Sequence, residues 1–199
     1  MDAQLAFLHE ADKLKSILRH SRVSFADRRE NDAEHSWHLA LAVMVLSDYA
    51  EPGLDLLRTL QMVLIHDLVE IDAGDTIAYA DAAAKAAQSA RERAAAERLF
   101  GMLPEDQGRA LRGLFDEFEQ RQTREARFAR ALDRVQPILQ NVHSGGATWR
   151  ENRITPQRVR DVNRPVIEEA SPALWRRIEQ ILADAEGRGC FGARSDAGP

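Results

Sequence analysis

Cysteine is nearly absent from the sequence. The one thiol in 199 residues, Cys190, excludes a disulfide framework and points to a reducing compartment, the cytoplasm being the expected one. Long apolar runs are missing as well. None approaches the 18 or so residues of a membrane span, and the first residues, MDAQLAFLHEADKLK, lack the basic start and apolar core of a secretory signal. Positive charge is in deficit. With 27 Lys and Arg against 32 Asp and Glu, the net charge is −5, which argues against coating a nucleic acid. Period-2 alternation is also lacking, so no strand is expected. What remains fits one all-α domain over residues 1–186, followed by a glycine-bearing flexible tail over 187–199.

Helical periodicity is abundant. A stripe of Leu5, Leu8, Leu14 and Leu18 predicts a helix over 3–19. An Asn31-Asp32 cap predicts a second helix to about Ala50, and Pro52-Gly53 breaks the chain after it. A third helix is expected over 54–73, with Leu57, Leu60, Leu64, Leu68 and Ile71 on its core face and Gly74 closing it. Ten alanines between Ala80 and Ala96 make a further helix with a tight packing face. Helices follow from Pro104 to Gln120 and over 123–141. Residues 143–152 read as a loop, and Thr155-Pro156 and Ser171-Pro172 each read as an N-cap before a proline at the first helical position. The total is about seven to eight helices.

The chemistry concentrates in V-L-I-H-D-L-V-E-I-D-A-G-D. His66 and Asp67 interrupt an apolar helix, where a charged pair is costly unless satisfied. Glu70 lies one turn on, and Asp72 and Asp75 follow. Four acids within nine positions beside a histidine repel one another unless a cation sits among them. Adjacent helical residues supply two ligands at most, so others must come from elsewhere. Candidates are His35, in E-N-D-A-E-H-S-W-H, and Asp133, in A-L-D-R-V-Q-P, where Pro137 removes a helical hydrogen bond to the Asp133 carbonyl.

The series His35, His66-Asp67, Asp133 and the strings around it resemble the HD-domain metal-dependent phosphohydrolases, in particular the branch that contains the bacterial 5′-deoxynucleotidases. The resemblance spans residues 10–185. It implies that His35, His66, Asp67 and Asp133 bind one divalent ion, and this ligand set suits Mn²⁺, Co²⁺, Fe²⁺, Ni²⁺ or Mg²⁺. It implies acid–base work for Glu70, a water- or sugar-holding role for Asp75, and phosphate contacts from Arg19 and Arg22 on the first helix. Where that branch has a tryptophan after the arginine, this chain has His20. No histidine lies between Asp67 and Asp133, which favours a single metal. The implied activity is removal of phosphate from nucleoside 5′-monophosphates, deoxyribonucleotides among them. Alternatives are hydrolysis of nucleoside triphosphates or another phosphorylated metabolite, and a non-catalytic module that holds metal or nucleotide. The resemblance also implies a homodimer, for which the alanine-rich helix, Trp149 and Trp175 would offer contact surface. His38 reads as a packed or hydrogen-bonded residue, Trp37 as a core or interface anchor, and Cys190 as an incidental thiol.

Overall fold

The computed structural model describes residues 1–191. Among these, eight helices reach ten residues or more: α1 (Asp2–Ala11), α2 (Asp32–Leu46), α3 (Leu56–Ile65), α5 (Ala82–Phe100), α6 (Glu105–Gln120), α7 (Arg124–His143), α9 (Pro156–Ala170) and α10 (Pro172–Gly187). Two short ones, α4 (Glu70–Ala73) and α8 (Ala147–Glu151), lie between them. The expected all-α bundle is therefore what forms. Its caps are those read from the sequence. Asn31 and Glu34 make a reciprocal capping box at α2, Thr155 Oγ1 accepts from the Arg158 amide, and Ser171 Oγ accepts from the Leu174 amide.

One element departs from the all-helical expectation. The helix predicted over 3–19 stops at Ala11, gives one 3₁₀ turn over Asp12–Ser16, and becomes an antiparallel hairpin of β1 (Leu18–Arg22) and β2 (Arg29–Asn31). Leu18 pairs with Asn31 and Arg22 with Arg29, so β1 carries two more residues than β2 between these points. Such an irregularity bends a strand and re-aims its side chains. The sequence L-R-H-S-R has no alternation because the buried groups of β1 are polar: Arg19 and Ser21 face inward while Leu18 is exposed.

The bundle is organised around α7, which packs against α2, α3, α6, α9 and α10. Phe128, Leu132, Val135 and Ile138 of this helix are buried, as an amphipathic core helix requires. Asp133, Gln136, Gln140 and Asn141 are buried too. Polar side chains on the core face of the central helix are costly unless they serve a site.

Three further expectations are corrected. The expected stripe over 54–73 holds only in part: Leu68 is buried and Leu60 and Ile71 pack against the core, but Leu57 and Leu64 are exposed, and Thr59, Met62 and Val63 fill the core. Both faces of L-L-R-T-L-Q-M-V-L-I are apolar, so periodicity alone does not choose between them. The loop expected at 143–152 contains α8, entered through Gly145 and Gly146 with φ of 67° and 80°. Finally, the expected tail from Gly187 packs at its start. Cys190 and Phe191 are buried, and Phe191 stacks on Trp149 with centroids 4.4 Å apart. The rest of that tail, 192–199, lies outside the described residues.

Candidate metal and substrate site

Three elements bring the predicted ligands together. His35 sits in the first turn of α2 and is completely buried. His66 and Asp67 are not inside a continuous helix. α3 ends at Ile65, a 3₁₀ turn runs over His66–Val69, and α4 ends at Gly74, whose φ of 72° favours glycine. This turn lets His66 Nδ1 donate to the Val63 carbonyl at 2.9 Å, which fixes the tautomer and leaves Nε2 bare and aimed inward. Asp133 enters from α7.

The ligand atoms converge. His35 Nε2 is 3.2 Å from Asp133 Oδ1 and 3.7 Å from Asp67 Oδ2. His66 Nε2 is 3.1 Å from Asp67 Oδ1 and 3.8 Å from Asp133 Oδ1. Despite this closeness His66 Nε2 makes no aligned hydrogen bond and is shielded from solvent. A buried nitrogen without a partner, facing two carboxylates and a second imidazole, fits a cation at that point. His35, His66, Asp67 and Asp133 would hold it.

Electrostatics point the same way. Burial disfavours the charged form of His66, yet Asp67 and Asp133 outweigh it and pull its pKa up to about 10, so the space at Nε2 attracts positive charge, a proton or a metal ion alike. Burial likewise opposes ionisation of Asp133, but the imidazoles of His35 and His66 beside it keep it well below the usual carboxylate range. Glu70 is the opposite case. Burial, with the charges of Asp67 and Asp32 beside it, pushes its carboxyl up to about 12, so it carries a proton at neutral pH. Two acids with opposed protonation in one site are a basis for acid–base division of labour.

Arg19 comes from β1 rather than from the first helix. Its Nη1 donates to Asp67 Oδ2 at 2.6 Å and Asp32 Oδ1 at 3.2 Å, and Glu30 and Asp133 lie at 3.9 Å. A guanidinium thus supplies the positive charge among Asp32, Asp67 and Glu70, a second cluster of buried acids. Asp75 Oδ2 accepts from the His20 amide at 2.9 Å, and both residues line a cavity of about 460 Å³ above the cluster, with Glu70 in its wall. Arg22 is not brought to the site. It pairs with Asp27 and Glu151 on the surface, beside a separate groove. Asp72 is exposed and paired with Arg98, and His38 Nδ1 accepts from Gln136 Nε2 at 2.9 Å on the outer side of α2.

Sequence reasoning missed Glu30, Asp32, Lys85, Arg130 and Arg134. Glu30 is buried behind His35, 3.7 Å from its Nδ1, and accepts from Gln136 and Gln140. The signal was present in E-N-D, two acids on either side of the Asn31 cap. The run R-A-L-D-R places Arg130 and Arg134 on either side of Asp133, but linear spacing does not say that both face a cavity.

An α-helical bundle that gathers two histidines and two aspartates from three elements around a buried, partnerless imidazole nitrogen has the donor set and spacing of the H…HD…D type. The chain belongs to the HD domain family, which matches residues 11–175. It is 34% identical over 137 residues to the 5′-deoxynucleotidase HDDC2 of Homo sapiens, a match covering 68% of this chain and 65% of that protein. The Danio rerio protein of the same name is 28% identical over 141 residues, covering 70% of this chain and 68% of that one. The chain thus matches about two thirds of the length of these relatives. Among solved structures, a predicted metal-dependent phosphohydrolase from Magnetospirillum magnetotacticum is 44% identical and superposes with a TM-score of 0.90, covering 96% of this chain and 95% of that one. A conserved hypothetical protein from Pyrococcus furiosus shares the fold at 20% identity, with a TM-score of 0.59, covering 92% and 99% of the two chains.

Proposed function

We propose that this protein is a metal-dependent phosphomonoesterase that removes phosphate from nucleoside 5′-monophosphates, deoxyribonucleotides among them. The observation that carries the reading is the bare, buried Nε2 of His66 facing Asp67, Asp133 and His35 at the floor of a cavity large enough for a nucleotide. His35, His66, Asp67 and Asp133 would hold a divalent ion there, which would supply polarisation of a phosphoryl oxygen and a lowered pKa for water. The chain's own residues do the rest. Glu70, protonated and buried in the cavity wall, gives its proton to the departing sugar oxygen. Asp75, tied to the His20 amide by one oxygen, offers the other to water or to the sugar. Arg19 holds Asp67 in place and balances Asp32. The names borne by the relatives support the nucleotide as substrate.

In this reading the protein works in the cytoplasm as a homodimer. The surface that supports pairing is not the one expected from sequence, because Trp149 and Trp175 are buried inside the chain. Trp37, Leu41, Met44 and Val45 of α2 lie exposed beside Leu57 and Leu64 of α3, an apolar face on two neighbouring helices. A free, buried Cys190 accords with a reducing compartment.

The test is phosphate release from a panel of ribo- and deoxyribonucleotides, with EDTA and with added Mn²⁺ or Co²⁺. Orthophosphate is expected from monophosphates and is lost with EDTA. Pyrophosphate or triphosphate as product would replace this reading with triphosphate hydrolysis, and no release under any metal would remove the enzyme reading. Light scattering on the same preparation should give the mass of two chains, and a monomer at every concentration would remove the dimer.

A further inference from the structure

We propose that Arg134, aided by Lys85, is the arm that grips the substrate's phosphate. The inference rests on the phosphomonoesterase reading and names a binding residue for it.

Arg19, Lys85, Arg121, Arg130 and Arg134 line the cavity, and Arg121 among them is exposed to solvent. Arg19 is spent on Asp67 and Asp32. Arg22 is spent on Asp27 and Glu151, away from the cavity. Arg130 donates to Glu119 at 2.5 Å and to Asp133 at 3.4 Å, with its guanidinium 4.3 Å from the centre of the Phe118 ring. Arg134 is different. It lines the cavity, and its side chain is only 25% exposed, yet among the described residues it makes no hydrogen bond. The one acid near it is Asp133, 4.0 Å from Nε, and that carboxylate already faces His35 and His66. A largely buried guanidinium with free donors is costly unless an acceptor arrives.

Lys85 of α5 lines the same cavity and has no ion-pair partner among the described residues. Burial and then the charges of Arg134 and Arg158 pull its pKa down. Charge balance gives them a purpose. Asp32, Asp67, Asp75, Asp133 and Glu30 still outnumber the positive charge of Arg19, Arg130 and one divalent ion. A phosphate dianion therefore meets net repulsion at the metal end unless further cations receive it. Arg134 stands one residue from a metal ligand, where it reaches the same phosphate, and its planar fork can donate two parallel hydrogen bonds to phosphoryl oxygens.

The experiment is calorimetric titration of inorganic phosphate into the manganese-loaded protein, with manganese per chain measured in parallel and KM for a nucleotide alongside. Arg134→Gln is expected to weaken phosphate binding about tenfold to a hundredfold and to raise KM, with manganese content unchanged. Arg134→Lys should recover part of the loss. Lys85→Gln, at an exposed position that does not threaten folding, should weaken binding several-fold. Phosphate affinity equal to wild type in both Gln variants overturns the proposal, as does an unmodified protein that binds no phosphate. Loss of manganese together with phosphate in Arg134→Gln also overturns it, because Arg134 would then act by supporting Asp133. Phosphate binding through Arg134 without turnover of any nucleotide would remove the substrate reading and leave the anion arm standing.

Discussion

The Asp67→Ala variant is expected to lose its metal and, with it, phosphate release by about a thousandfold or more. Outer-shell residues that merely orient ligands typically cost about tenfold to a hundredfold, and a direct ligand costs more. Asp67 is also the residue on which most of the site converges. One oxygen lies 3.1 Å from His66 Nε2, and the other receives Arg19 at 2.6 Å and lies 3.7 Å from His35 Nε2. Its removal leaves Arg19 to turn toward Asp32 and Glu30 and leaves His66 without its nearest counter-charge. Metal content per chain and the rate of phosphate release are to be measured on one preparation. Full activity with bound metal would take Asp67 out of the site.

The second large effect is at Glu70. Glu70→Gln is expected to keep the metal and the fold while kcat falls about a hundredfold to ten-thousandfold, the usual worth of a positioned proton donor. The substitution is isosteric, and burial with the charges of Asp67 and Asp32 already keeps the carboxyl protonated near neutral pH. Glutamine therefore replaces a neutral group with a neutral group, and thermal stability should not fall. What it cannot do is release a proton. A variant with wild-type kcat would assign Glu70 to structure alone. Loss of metal in Glu70→Gln would place the residue among the ligands.

The parts of the site legible in the sequence are those written as contiguous strings. His66-Asp67 stood out because a charged pair breaks an apolar run, and Asp133 because it stands inside a helical pattern four residues before a proline. Arg19 was legible as a member of the site, but its partners were not. They are carboxylates from β2, α2, the His66 turn and α7, which only the closed bundle brings within 4 Å. Arg22 follows Arg19 by three residues, one helical turn, and so looked equivalent. On a bent strand it falls outside, paired with Glu151. Arg134 and Glu30 were invisible for the complementary reason. Each is an ordinary charge in a charged sequence until α7 turns one into the cavity wall and buries the other behind His35.

The fold followed the same division. Caps at Asn31, Thr155 and Ser171 are local chemistry and read correctly from a few residues. The direction of the α3 stripe is not local, since two apolar faces compete and the packing of α2 and α7 decides. The break at His66–Val69 is not local either. Nothing in I-H-D-L-V-E-I ends a helix by propensity, and the turn is specified by what His66, Asp67 and Glu70 must reach.

In the proposed site one cation is held by His35, His66, Asp67 and Asp133. The most direct measurement is anomalous diffraction from a crystal of the manganese- or cobalt-loaded protein. The predicted result is a single peak per chain, bounded by His35, His66, Asp67 and Asp133, with none among Asp32, Glu70 and Arg19. An ion bound elsewhere, or a site that stays without metal while the protein releases phosphate, would contradict it.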